Sequence, residues 1–172
     1  MIIVNISIRN IEYDDIPDVV DIRIRGWQVA YKNIIDQDYL DNLSNEYDIR
    51  IERMRKNYKD TGFIVAIKDN IVVGFCRYVF DNSFSNNIDC DSELLALYVK
   101  PELKGQGIGS KLFNYVVNEF RKNNKHKMII WCLKENYPSR LFYEHMGCIN
   151  KFERNILIGN KNYLEVGYEL KF

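Results

Sequence analysis

Three of the chain's nine glycines, Gly105, Gly107 and Gly109, fall within five residues, between an apolar run and a helix-spaced one. The run before them, Glu93–Val99, ends at Lys100-Pro101 and reads as a strand. The run after them, Ser110–Arg121, sets Leu112, Phe113, Val116, Val117 and Phe120 on one side of a helix. Glycine lets backbone amides approach a ligand with no Cβ in the way. A helix N-terminus leaves N–H groups unpaired and carries about half a positive charge. Strand, glycine loop and helix together make an anion cradle suited to a phosphate or pyrophosphate. A plain strand-to-helix turn would need only one or two glycines.

The remaining patterning sets that unit in a mixed α/β sheet. Val4–Arg9 alternates apolar and polar side chains and predicts a first strand. Asp14 or Asp15 can cap a helix entered through Pro17, with Val19, Val20, Ile22, Ile24 and Trp27 on its apolar side. A second helix is expected over about residues 46–58. Phe63–Ile67 and Ile71–Phe80 flank the turn Lys68-Asp69-Asn70 and read as a hairpin. Lys127–Leu133 is a buried strand, Pro138 opens a helix that stops before Gly147, and Cys148–Ile158 with Lys161–Glu169 form a terminal hairpin. The order β-α-α-β-β-β-α-β-α-β-β is that of an α/β (α+β) domain, a central sheet of about seven strands with helices on both faces. With 172 residues, three prolines and no repeat, the whole chain 1–172 is expected to be one domain.

Composition narrows the function classes. Lys and Arg number 24, as do Asp and Glu, and a dedicated nucleic-acid binder needs a basic surplus. The halves differ: residues 1–100 hold 17 acidic against 12 basic residues, and residues 101–172 hold 7 against 12. That split suits a C-terminal half meeting an anion and an N-terminal half meeting a cation. Cys76, Cys90, Cys132 and Cys148 are widely spaced, and His126 and His145 are the only histidines. Neither a metal site nor a disulfide frame is expected, and free thiols suit a reducing cytoplasm. Apolar runs are strand-sized and the N-terminus lacks a basic, apolar leader, so neither a membrane span nor a secretion signal is expected. The glycines match neither a dinucleotide fingerprint, because Ser110 takes the third glycine position, nor a nucleotide P-loop, because Gly109-Ser110-Lys111 breaks its order.

Leu97-Tyr98-Val99-Lys100-Pro101-Glu102-Leu103-Lys104-Gly105-Gln106-Gly107-Ile108-Gly109 resembles the acetyl-CoA loop of the GCN5-related N-acetyltransferase (GNAT) superfamily, (Arg or Gln)-x-x-Gly-x-(Gly or Ala) after a strand. Lys104 replaces the usual Arg or Gln, keeping the charge but not a planar fork. Trp131-Cys132-Leu133-Lys134-Glu135-Asn136, followed by Arg140-Leu141-Phe142-Tyr143-Glu144-His145-Met146-Gly147, is similar to the family's second block: a strand, an Asn, then a helix bearing Phe-Tyr and ending at Gly. Cys148 and Pro138-Ser139 depart from the family's usual residues at packing positions. Trp27 through Asp36 resembles a segment of one bacterial subgroup, bordering the acceptor pocket.

The resemblance implies acetyl transfer from acetyl-CoA to a primary amine by direct attack in a ternary complex. Tyr143 would be the general acid for the leaving thiolate, and Glu93 the base, with Asp91 as the alternative. Leu97 and Val99 amides and Asn136 would hold the pantetheine arm, and Lys104, Gly105, Gln106, Gly107, Ile108, Gly109 and Ser110 the diphosphate. Trp27 and Tyr31, four apart on a helix, would face the acceptor. Cys132 has no histidine spaced to serve it and is not expected to be a nucleophile. The acidic stretch Asp81, Asp89, Asp91 and Glu93 would draw in a small cationic acceptor. The alternatives are an N-terminal or lysine acetyltransferase of proteins and a non-catalytic acyl-CoA-binding module. A homodimer through terminal strands or sheet edges is compatible with the resemblance.

Overall fold

The computed structural model describes residues 5–85 and 87–172; Val4 and the residues before it, where the first strand was expected to start, lie outside them. Seven strands form one sheet: β1 (Ile6–Asn10), β2 (Gly62–Lys68), β3 (Ile71–Val79), β4 (Ser92–Val99), β5 (Lys127–Leu133), β6 (Ile149–Ile158) and β7 (Lys161–Lys171). Their spatial order is β1-β2-β3-β4-β5-β7-β6. Every neighbouring pair is antiparallel except β4 and β5, which the intervening helix must connect in parallel. The β2–β3 turn is tight because Asp69 and Asn70 take φ of 51° and 62°, the left-handed pair that suits a hairpin's twist.

Helices α1 (Ile16–Ala30), α2 (Gln37–Asn42) and α3 (Tyr47–Asn57) cover one face, and α4 (Ile108–Lys122) and α5 (Tyr137–His145) cover the other. The α4 side chains expected to be apolar, Leu112 to Phe120, are all buried, together with Ile108. They pack on Ile64, Leu94, Ile130 and Tyr168. On the opposite face Val19, Ile22, Leu40 and Ile51 close over Val65, Phe75 and Leu133. Asp15 occupies the cap position of α1 without capping it. Its carboxylate instead accepts from Arg9 Nη1 and Nη2 at 2.6 and 2.9 Å and from the Glu12 amide at 2.7 Å.

Two irregularities in β4 position the site. Tyr78 faces Leu94 and Arg77 faces Ala96, so Leu95 is an extra residue, a bulge that bends the strand. Pairing with β5 covers only Ser92–Leu94 against Met128–Ile130. Beyond it the two strands part, and among the described residues no strand fills the gap between Leu95–Val99 and Trp131–Leu133.

Candidate active site

The parting of β4 and β5 opens a cavity of about 790 Å³, within the range that holds cofactor-sized ligands. One wall is β4 from Leu95 to Val99, another is Ile130, Trp131 and Cys132 of β5. The Lys100 amide donates to Val73 O at 2.9 Å, so by strand alternation the Leu97 and Val99 amides point away from β3, into the gap.

One end of the cavity is the glycine loop. Gly105 and Gly107 take φ of 78° and 77°, and a Cβ on either would meet nothing within 4 Å. The loop therefore faces open space where side chains would project. Gly107 caps α4, whose first hydrogen bond runs from the Lys111 amide to Gly107 O at 3.1 Å. The amides of residues 105–110 find no acceptor among the described residues, and successive unpaired amides in such a turn form an anion nest. Lys104, Gly105, Gly107, Ile108, Gly109 and Ser110 line the cavity; Gln106 stands beside it, exposed. The donors fit a diphosphate.

Asn136, just before α5, and Tyr143, within it, line the same cavity. Asn136 Oδ1 caps α5, accepting from the Ser139 amide at 3.3 Å, which leaves its Nδ2 donors for a ligand. Tyr143 packs against Phe142 and Tyr168, with ring centroids 5.4 and 6.0 Å away. Burial, reinforced by Cys132, Cys76, Tyr98 and Cys148 nearby, holds its pKa well above that of a free tyrosine. Cys132 reports on the same surroundings, because burial pushes its thiol up to about 12. A thiol so protonated is a poor nucleophile.

The acceptor-side residues separate. Tyr31, at the end of α1, lines the cavity with Val29 and Ala30. Trp27 does not; its indole donates to Tyr98 Oη at 2.8 Å, meets Tyr31 edge-on at 5.0 Å and borders a separate hollow with Tyr39. Tyr98, read from sequence only as strand, thus ties α1 to the cavity wall. It also fills the space over Gly26, where a Cβ would lie 2.9 Å from its ring.

Glu93 lies in the still-paired part of β4, opposite Ile129, and does not line the cavity. Its side chain is 3% exposed, and burial raises its pKa against the pull of Ser85 and Arg154. The rest of the acidic stretch is engaged locally. Asp81 binds Ser83, Asp89 pairs with Lys127 Nζ at 2.5 Å, and Asp91 accepts from the His126 and Lys127 amides at 2.8 and 3.1 Å. Asp91→Ala should cost about 1–2 kcal/mol in chemical denaturation by orphaning those amides. Its kcat, read by thiol release, should stay close to wild type. Among the described residues no group of side chains is arranged to hold a metal, and no helix is long and apolar enough to cross a membrane.

Comparison with known proteins supports the same architecture. Over 98% of this chain and 99% of its own, the PaiA N-acetyltransferase of Thermoplasma acidophilum, crystallised with coenzyme A, superposes with a TM-score of 0.74 at 20% identity. The uncharacterized N-acetyltransferase YuaI of Bacillus subtilis is 26% identical over 94% of this chain and 91% of its own. A spermidine N(1)-acetyltransferase of Thermoplasma acidophilum is 27% identical over 74% and 76%. Residues 27–148, from the end of α1 to the start of β6, match the model of the Acetyltransferase (GNAT) family, and the chain belongs to that family.

Proposed function

We propose that residues 1–172 act as one catalytic unit that N-acetylates a small primary amine, cationic in solution, by direct attack in a ternary complex. Acetyl-CoA is the acyl donor of this enzyme class and supplies the acetyl group as an activated thioester. The observation that carries the reading is one cavity bounded by the anion nest, the inward amides of β4 and Tyr143.

Each residue's task follows from its place. Loop amides 105–110 and Lys104 bind the diphosphate, and Leu97, Val99 and Asn136 bind and orient the arm. Amides aimed at the carbonyl oxygen would stabilise charge gathering there. An amine with a pKa near 10.4 is free base in only about one molecule in a thousand at neutral pH, so a group must collect its proton. Glu93 does so through water, since its carboxylate stands back from the cavity. Tyr143 keeps its proton across the neutral range and donates it to the departing sulfur. The burial that raises Cys132 to about 12 would disfavour a free thiolate there as well, which makes that donation necessary. Tyr31 forms the acceptor's wall; Trp27 holds Tyr98 and Tyr31 in place behind it.

The spermidine-acetylating relative supports a cationic, amine-bearing acceptor. Acetyl-CoA offered with a panel of polyamines, monoamines, peptides and protein lysines should release thiol with small amines. Turnover confined to peptides or proteins would favour a protein acetyltransferase. Stabilisation by acetyl-CoA without thiol release from any amine would favour a non-catalytic acyl-CoA binder.

The raised Glu93 carboxyl also predicts a pH-dependent stability. Its folded pKa lies above the unfolded one, so its contribution is complete below the ordinary glutamic acid range and is lost as pH rises through the raised value. Glu93→Gln removes that loss. The melting temperature of the variant relative to wild type should therefore climb between acidic and neutral pH in calorimetry; a flat difference would mean that burial does not perturb this carboxyl.

A further inference from the structure

Glu93 leaves a loose end. Its Oε2 is buried and has no hydrogen-bond partner. Among the described residues between β3 and β4, Ser85, itself 3% exposed, reaches the carboxylate's surroundings. The Trp131 indole N–H donates to Ser85 Oγ at 2.8 Å. That bond occupies an acceptor site of the hydroxyl and leaves its own proton for another acceptor. Trp131 in turn lines the cavity, so it touches both the reaction space and the serine.

The arrangement is braced from outside. Arg154 on β6 lies over the Trp131 ring, 4.1 Å from its centroid. Its Nε donates to Glu165 Oε2 at 2.8 Å, and its Nη1 donates to Phe84 O, the carbonyl next to Ser85, at 3.4 Å. One guanidinium therefore holds both the indole and the loop bearing the hydroxyl. A surface loop with no further duty has no need of a buried serine clamped between two elements.

We propose that Ser85 is a positioning residue for the transfer: fixed by Trp131 and by Arg154's grip on Phe84, it turns its hydroxyl to Glu93 and holds that carboxylate as the proton acceptor. The inference rests on Glu93 being the base. Among the described residues, the charged and titratable groups near Glu93 are Asp81 and Cys90 from between β3 and β4, Arg154 from β6 and Glu165 from β7. Burial, Asp81 and Glu165 favour the protonated form, whereas Ser85 and Arg154 favour the ionised one. Removing the hydroxyl should therefore shift Glu93 towards protonation, while Thr at position 85 should restore the ionised form.

Two readouts test this in the full chain. Carboxyl-carbon NMR of protein labelled in its glutamates follows Glu93 itself, assigned with Glu93→Gln. The pH profile of kcat/KM uses acetyl-CoA and the panel amine with the fastest thiol release. In Ser85→Ala the Glu93 midpoint should move up, and kcat/KM should fall roughly 3–10-fold on the acid limb and less than about twofold on the plateau. Ser85→Thr should bring both back, which a loss of packing alone would not explain. If Glu93→Gln flattens the acid limb but Ser85→Ala moves neither readout, Ser85 has no such role and the base assignment stands. If Ser85→Ala moves the NMR midpoint while Glu93→Gln keeps the acid limb, Glu93 is not the base and the proposed part of Ser85 in the reaction falls with it.

Discussion

Tyr143→Phe should lower kcat by roughly 10²–10⁴-fold, the usual worth of a general acid, while acetyl-CoA affinity stays within about twofold. The substitution removes one oxygen and keeps the ring that packs against Phe142 and Tyr168, so the cavity keeps its shape. In the proposed reaction it removes the donor for a sulfur that must otherwise leave as an anion. Steady-state kinetics with a good amine gives kcat, and titration calorimetry with coenzyme A gives affinity. Stability should change little, which separates a chemical loss from a folding one. An unaltered kcat, with single-turnover rates showing chemistry to be limiting, would take Tyr143 out of the mechanism.

Gly107→Val acts on binding instead. At φ of 77° a β-branched side chain is strained whatever surrounds it, at a cost of order 1–3 kcal/mol. No protein atom lies within 4 Å of the added Cβ, so within the protein that backbone strain is the main penalty. The new methyls would instead crowd the open side of the nest, where a diphosphate has to approach the amides. Coenzyme A affinity should fall at least tenfold, about 1.4 kcal/mol. Denaturation measures the strain and calorimetry the affinity. A destabilised variant with wild-type affinity would reduce the loop to a turn.

The sequence and the structure agree best where one residue pattern answers to one packing surface. α4 has a single apolar side facing a sheet, and its spacing gave the helix and its buried residues. β5 is buried on both faces and ends where its apolar run ends. α2 was not foreseen, because six residues with two acids and an asparagine carry too little periodicity to register. The bulge at Leu95 leaves no local mark either; it is set by pairing with Arg77 and Tyr78 of β3. That bulge and the short β4–β5 pairing decide which residues of the loop-strand-helix unit border open space. Hence the place of the glycine loop and Tyr143 beside the cavity was legible, but the exclusion of Glu93 from its lining was not. Trp27 and Tyr31 share a helix, yet only the one nearer its end reaches the opening, since Tyr98 takes up the indole. The acidic stretch was legible as charge but not as hydrogen bonding, because the partners of Asp89 and Asp91 come from the beginning of β5.

A sheet whose two middle strands part before they end is an unfinished seam. Amides at Leu97 and Val99 face a vacancy that another hydrogen-bonding chain could close, and a ligand that binds there joins the folded form alone. Occupancy then adds RT ln(1 + [L]/Kd) to the unfolding free energy, about 2.7 kcal/mol at a hundredfold excess over Kd. Resistance to proteolysis should thus rise with the concentration of acetyl-CoA offered.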